Sequence, residues 1–367
     1  MTDTTQTSHE NKWPLRQLYL YLTEGCNLKC RHCWLAPKYE TPEKQYGHLD
    51  VDLLCDCIRQ AKLLGLTRVK LTGGEPLMHP RIAEILDFIK NENLGLTIET
   101  NGVLCTPELA AQIASVKHIS ISVSLDGSDA ATHEWVRGVP GSFDAALRGI
   151  ANLSAAGLKP QIIMSVMRHN RSQMKALVEL AEGLGAGSVK FNIVMPTERG
   201  EMMHETGETL TIQELVATGL WVEQELAPTT RLRVVYHQPP AFRPLGSLFG
   251  EQGGGCSTCG IKGILGVLSD GSYALCGIGT TVPEMIFGQA GHDLLADVWY
   301  NNSVLKEIRE ELPQKLEGIC GQCLLQEVCL GNCIAQNYYR RTSLWAPFWY
   351  CEEAHKANLF PAARIRP

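Results

Sequence analysis

The chain has 367 residues, 44% hydrophobic and 20% charged, with a formal net charge of −6. That balance supports a large buried core and excludes a disordered chain, and the scattered Lys and Arg exclude a basic nucleic-acid footprint. No apolar run approaches the roughly 18 residues of a membrane span, and Met1–Asn11 is polar, without the apolar centre of a secretory signal, so a cytoplasmic protein with no nucleic-acid or membrane partner is expected.

From Arg16 to about Val194, short β-rich runs alternate with helical ones. The expected strands are Gln17–Leu22, Arg68–Thr72, Leu96–Glu99, His118–Leu125, Gln161–Val166 and Ser188–Val194, each bounded by Gly, Asn, Asp or Pro. Helices are expected near Val51–Leu64, Pro80–Asn91, Pro107–Ser115, Ser142–Ala156 and Arg171–Leu184. Asp50 and Thr106 stand where N-caps belong, and Pro107 suits a first helical position. Six strand–helix units predict an α/β fold with a parallel sheet curled as a partial barrel, whose active site lies at the carboxyl ends of the strands. Between 195 and 255 a helix over Leu210–Ala227 and a strand over Leu232–His237 are expected, and Gly253–Gly255 reads as a hinge. From Cys256 onward little regular structure is expected beyond a helical stretch near Leu294–Leu312, a texture suited to a domain held by metal ligation rather than by a core.

The chain carries 14 cysteines. In a reducing compartment, cysteines at short spacings read as metal or cluster ligands rather than disulfides. Eleven of the 14 fall into two groups, and Cys55, Cys57 and Cys105 stand apart as ordinary buried thiols. The first group, Cys26-Asn-Leu-Lys-Cys30-Arg-His-Cys33, directly follows the first strand. Three thiolates on one loop can hold three corners of a cubane iron–sulfur cluster and leave one iron open. The alternative, a zinc site completed by His32, asks a residue adjoining Cys33 to bend back onto the same metal. The second group comprises Cys256, Cys259, Cys276, Cys320, Cys323, Cys329, Cys333 and Cys351, enough for two four-ligand sites. Softness alone leaves zinc and iron–sulfur both open there.

The first motif and its order along the chain resemble the radical S-adenosylmethionine (SAM) superfamily, whose signature is C-x3-C-x2-C after the first strand of a partial (β/α)6 barrel. Thr72-Gly73-Gly74-Glu75-Pro76 resembles the family's GGEP motif, and Glu99-Thr100-Asn101-Gly102, Ser124-Leu125-Asp126-Gly127 and His133–Gly138 resemble segments around SAM's ribose and carboxylate. The resemblance implies a four-iron four-sulfur cluster on Cys26, Cys30 and Cys33 whose open iron binds SAM. It implies that SAM is then cleaved to a hydrogen-abstracting 5′-deoxyadenosyl radical. It implies SAM-binding roles for Gly73, Gly74, Glu75, Pro76, Asn101, Ser124 and Arg137. Glu75 would accept from the SAM ammonium, Arg137 would pair with a carboxylate, and His32 would lie near the adenine. Ser165 and Asn170 are weaker candidates. No catalytic acid or base is identified; Tyr236 and His237 are candidates, with packing the alternative role.

The C-terminal pattern, C-x11-G-x4-C followed by C-x2-C-x5-C-x3-C and a last cysteine, resembles the SPASM domain that follows radical SAM barrels. The resemblance implies two auxiliary four-iron four-sulfur clusters with crossed ligation, one on Cys256, Cys259, Cys276 and Cys333 and the other on Cys320, Cys323, Cys329 and Cys351. The expected organisation is a tail over 1–15, a barrel over 16–200, a connection over 201–255, a SPASM domain over 256–355 and a tail over 356–367. SPASM enzymes mostly modify ribosomally made peptides, which implies a precursor-peptide substrate. Gly277 replaces the Asp that follows the matching cysteine in anaerobic sulfatase maturases, which argues against that class. Gln17–Gly25 running into Cys26 and on to Cys33-Trp34-Leu35-Ala36-Pro37 is similar to the SynChlorMet-cassette maturases, which include the tyramine-excising spliceases. About 15 residues precede the barrel, against the roughly 80 a fused recognition domain needs. A separate small recognition partner and a flavodoxin- or ferredoxin-type electron donor are therefore expected. Thioether formation, carbon–carbon crosslinking, epimerisation and a small-molecule, cofactor-pathway substrate are the alternatives, and the intact Cys26, Cys30, Cys33 and Gly73–Pro76 set argues against a zinc-stabilised scaffold without SAM chemistry.

Overall fold

The computed structural model describes residues 13–250 and 259–367; Cys256 and the expected hinge at Gly253–Gly255 lie outside them. A ten-stranded sheet organises the chain. Its strands are β1 (Gln17–Tyr21), β2 (Arg68–Thr72), β3 (Gly95–Thr100), β4 (Ile119–Ser124), β5 (Gln161–Val166), β6 (Ser188–Ile193), β7 (Arg233–His237), β8 (Ile264–Val267), β9 (Ser272–Ala274) and β10 (Ile286–Gln289). Their order across the sheet is β10-β9-β8-β1-β2-β3-β4-β5-β6-β7. From β8 through β1 to β7 every pairing is parallel, and β9 and β10 close the other edge antiparallel.

Helices α1 (Val51–Leu63), α2 (Ile82–Asn91), α3 (Pro107–Ala114), α4 (Ala130–Arg137), α5 (Ser142–Ala155) and α6 (Met174–Gly183) link successive parallel strands. The Asp50 carboxylate accepts from the N–H groups of Asp52 and Leu53, and the Thr106 hydroxyl accepts from Leu109 N–H, so both expected caps form. Along each strand alternate residues are buried against the helices: Leu18 and Leu20 on β1, Val69 and Leu71 on β2, Val189 and Phe191 on β6, all fully buried. Leu54 and Ile58 of α1 and Ile85 and Ile89 of α2 belong to the same apolar core.

The expected helix over Leu210–Ala227 is α-helical over Ile212–Trp221 and then loosens through a π-turn, Val222–Leu226, and a 3-10 turn ending at Thr229. Pro228 has no N–H to continue the ladder. The stretch near Leu294–Leu312 is two helices, Leu295–Asn301 and Ser303–Glu311, broken where Asn302 turns extended and caps the second. The expectation of little structure and no core after Cys256 is corrected. β8 pairs with β1, which ties the C-terminal region into the barrel sheet, and Trp299, Phe348 and Tyr350 are fully buried within the same apolar core. The strands missed are only three or four residues long, too short to show periodicity.

Candidate functional site

The cysteine loop is held from three sides at the carboxyl ends of the strands. Lys29 N–H donates to Arg137 C=O and Arg31 N–H to Val136 C=O, each at 2.9 Å, so the loop satisfies carbonyls that the end of α4 leaves open. From the opposite side the Arg199 guanidinium donates to Cys30 C=O at 3.2 Å and to Pro37 C=O at 2.8 Å. Against the loop's start lies Gly74, where a Cβ would stand 1.8 Å from the carbonyl oxygen of Gly25. Gly73 before it has φ +129°, which side chains rarely adopt. The Gly-Gly pair is therefore what lets β2 end directly against the cysteine loop.

Together these elements border a cavity open to solvent and lined by Cys26, Cys30 and Cys33, by Gly73, Gly74, Glu75, Asn101, Ser124 and Arg137, and by Glu99 and Arg199. Every expected residue of this set except His32 and Pro76 lines it. Burial raises the Cys26 and Cys30 thiols; Glu75 and the neighbouring cysteines add to the effect at Cys26, while Arg137 works against it at Cys30.

Glu75 is 1% exposed, and its carboxylate serves its own chain: it accepts from Leu77 N–H at 3.0 Å, Thr100 Oγ1 at 2.6 Å and Asn101 N–H at 2.8 Å. It fixes the loop after β3 to the loop after β2. Arg137 is not a surface charge. Its Nη2 stands 2.6 Å from an oxygen of fully buried Asp126, and its Nη1 donates to Cys30 Sγ at 3.4 Å. Its Nε is buried with no hydrogen-bond partner. His32 faces Asp126 at 4.0 Å rather than the cavity, and burial pushes it down to about 4. Asn170 is a clamp: its amide donates to the carbonyls of Asp126 and Ser165 and its oxygen accepts from Met167 N–H. Ser165 N–H in turn donates to the Asp126 carboxylate at 2.7 Å. Asp126 sat in plain view inside Ser124–Gly127, but only the three-dimensional contact with α4 distinguishes it from a turn residue. Arg199 has no sequence signal at all. Neither Tyr236, packed in the core, nor His237 lines the cavity.

The C-terminal thiols sort into two sets. Burial raises the Cys259, Cys276 and Cys333 thiols; Cys333 and Cys276 add to the effect at Cys259, and Cys333 adds to it at Cys276, pushed up to about 12. Cys320, Cys323, Cys329 and Cys351 instead line one narrow cavity. Cys333 leaves its sequence neighbours because Leu330, Gly331 and Asn332 all have positive φ, 51°, 74° and 60°. Three left-handed residues in succession reverse the chain between Cys329 and Cys333. Among the described residues, no group of three or more Cys, His, Asp or Glu side chains is arranged to hold a single metal ion. At Gly277, whose N–H donates to Tyr21 Oη at 2.6 Å, a Cβ would meet Leu35 and Tyr21 at 2.6 Å, so any side chain there requires both neighbours to shift.

The donor set fits an iron–sulfur cluster with SAM. Three thiols converge on one cavity, a glycine pair permits close backbone approach, and a buried guanidinium N–H is left unpartnered. Among the described residues no helix is long and apolar enough to cross a membrane.

Comparison with known proteins finds relatives along most of the chain. The family model described as "Radical SAM superfamily" matches residues 20–181. An AdoMet-dependent heme synthase of Methanosarcina barkeri is 31% identical over 327 residues, covering 86% of this chain and 90% of the relative. The mycofactocin maturase MftC of Mycobacterium tuberculosis is 29% identical over 365 residues, covering 94% and 85%. Among solved structures, Streptococcus suis SuiB bound to precursor peptide SuiA superposes with a TM-score of 0.71 over 93% of this chain and 76% of that one. At 20% identity that likeness is one of fold.

Proposed function

The chain belongs to the radical SAM superfamily, and on that premise we propose that it is a maturase of a ribosomally made precursor peptide, with splicing by tyramine excision as its reaction. The observation taken to support the peptide reading is a cysteine-rich C-terminal region tied into the barrel sheet beside a cavity lined by Cys26, Cys30 and Cys33. Near-full-length similarity to a maturase, MftC, supports it. Splicing itself rests on the likeness of Gln17–Pro37 to the SynChlorMet-cassette maturases.

In this reading Cys26, Cys30 and Cys33 hold the SAM-binding cluster. Cys256, Cys259, Cys276 and Cys333 hold one auxiliary cluster, and Cys320, Cys323, Cys329 and Cys351 the other. When bound, the SAM-binding cluster supplies one-electron reduction of SAM and, through it, hydrogen-atom abstraction from the substrate. The chain's own residues bind, orient and exclude water. Gly73 and Gly74 offer backbone at close range, Asn101 and Ser124 present polar groups on the cavity wall, and the Arg137 Nε–H is available to an anionic group. Glu75 acts through Thr100 and Asn101, whose positions it fixes. Leu28, Trp34, Leu35 and Pro37 give the cavity an apolar rim that limits water. A separate recognition protein delivers the precursor and raises its local concentration, and an electron donor of flavodoxin or ferredoxin type reduces the cluster.

The test is one mass spectrum of the cognate precursor after anaerobic incubation with enzyme, SAM, reductant and the recognition protein. Tyramine excision removes about 135 Da, a thioether or carbon–carbon crosslink about 2 Da, and epimerisation nothing. A loss of 2 Da overturns splicing and keeps the maturase reading. A second reading follows from the 31% identical heme synthase. If a tetrapyrrole, and no precursor peptide, drives SAM turnover, the maturase reading fails and that one stands.

A further inference from the structure

Asp126 lies in the turn after β4, fully buried, and the groups around it form a chain that ends on the cysteine loop. One carboxylate oxygen accepts from Ser165 N–H at 2.7 Å, and the other stands 2.6 Å from Arg137 Nη2. The same guanidinium donates through Nη1 to Cys30 Sγ at 3.4 Å. Arg137 is 7% exposed and is the last residue of α4, whose C-cap is the left-handed Gly138, so its side chain has little freedom. The arrangement is a carboxylate, a guanidinium and a cluster-loop thiol in sequence, all out of water. The other groups within reach are His32, His133, Arg199, the thiols of Cys26 and Cys33, and the buried carboxyl of Glu75, which faces both Arg137 and Cys26. Both histidines are held neutral by burial, and Arg199 bonds the backbone of the loop rather than a thiol.

From this geometry we propose that Asp126 and Arg137 are positioning residues that set the reduction potential of the cluster held by Cys26, Cys30 and Cys33. Arg137 raises that potential, and Asp126 both orients Arg137 and moderates the rise. The proposal rests on those three cysteines being cluster ligands and is independent of the substrate. Adding an electron to a cluster places negative charge beside the guanidinium, which stabilises the reduced form. An N–H···S bond withdraws charge from the sulfur in the same sense. Because the pair is buried, salt screens these effects little. Asp126 works oppositely, since its negative charge disfavours the added electron.

The experiment is an anaerobic redox titration of the SAM-free holoenzyme followed by electron paramagnetic resonance. The cluster of interest is the one whose signal changes when SAM is added afterwards. Arg137→Gln is expected to lower its potential and Asp126→Asn, which keeps the shape and the acceptor for Ser165, to raise it. Arg137→Lys keeps the charge and is expected to restore most of the Arg137→Gln shift. Shifts of opposite sign are not produced by loosening alone. Shifts of the same sign, or none, overturn the proposal. A loss of SAM affinity in Arg137→Gln at unchanged potential does so too, and assigns the residue to SAM alone. If Arg137→Gln does not fold, Asp126→Asn and Arg137→Lys still decide the matter. Absence of any SAM-responsive signal in the unaltered enzyme overturns the ligand assignment itself, a separate failure.

Discussion

At the scale of single residues, the site is built from side chains that hold loops. Glu75 shows it most directly, because all three of its donors come from its own chain. Glu75→Ala strands three buried donors around an empty space, and a buried donor left unsatisfied costs about 1–3 kcal/mol. The variant is expected to lose about 3 kcal/mol or more of stability and to bind SAM weakly because the Asn101 loop is freed. Anaerobic denaturant unfolding beside SAM titration checks this; weakened SAM binding at unchanged stability would mean that Glu75 contacts SAM and little else. His133 gives a pH dependence. Its Nδ1 accepts from Asp126 N–H at 3.2 Å, and burial, with Arg137 beside it, pushes it down to about 4 against the opposing pull of Asp126. The unfolded chain binds a proton near pH 6.5 while the folded chain does not, so this contribution is full above about 6.5 and is lost as pH falls toward 4. Between pH 7.5 and 5.5 the unaltered protein should lose about 1.4 kcal/mol more than His133→Asn. Equal losses in the two proteins would remove the account.

At the scale of elements, the decisive contact is the end of β2 against the cysteine loop. Gly74→Ala forces a Cβ to within 1.8 Å of the Gly25 oxygen, so the strand end or the loop must move. The expected outcome is loss of about four iron atoms, those of one cluster, from a protein that still folds. Full iron content in Gly74→Ala would show that the loop tolerates the shift. The parallel strands β1 to β6 and five of the six helices between them were legible in the sequence because each is five or more residues long with a buried face, whereas α4, eight residues directly after the β4 turn, was not expected as a helix. β7 was legible as a strand but not as the seventh of the sheet. β8, β9 and β10 were not legible, since three or four residues show no alternation and their membership depends on β1 lying alongside. The same holds within the site. Cys26, Gly74 and Ser124 stand in local motifs, whereas Arg199 and the tie of Asp126 to Cys30 arise only when elements distant in sequence meet.

At the scale of the whole molecule, the question is how the C-terminal thiols divide. In sequence Cys329 and Cys333 are close, and a linear reading would place them on one site. The left-handed run from Leu330 to Asn332 parts them, leaving Cys329 beside Cys320, Cys323 and Cys351, and Cys333 beside Cys259 and Cys276. With three four-iron clusters the reconstituted protein should hold about twelve iron atoms. Cys329→Ala and Cys333→Ala should each cost up to about four of them, depending on how completely a cluster survives on three ligands. The double variant separates the two arrangements. If the cysteines serve different clusters it loses about twice what either single variant loses, and if they share one it loses about the same as either alone. A zinc content near two with only about four iron would replace both auxiliary clusters with structural zinc, and would leave the SAM-binding cluster at Cys26, Cys30 and Cys33 untouched.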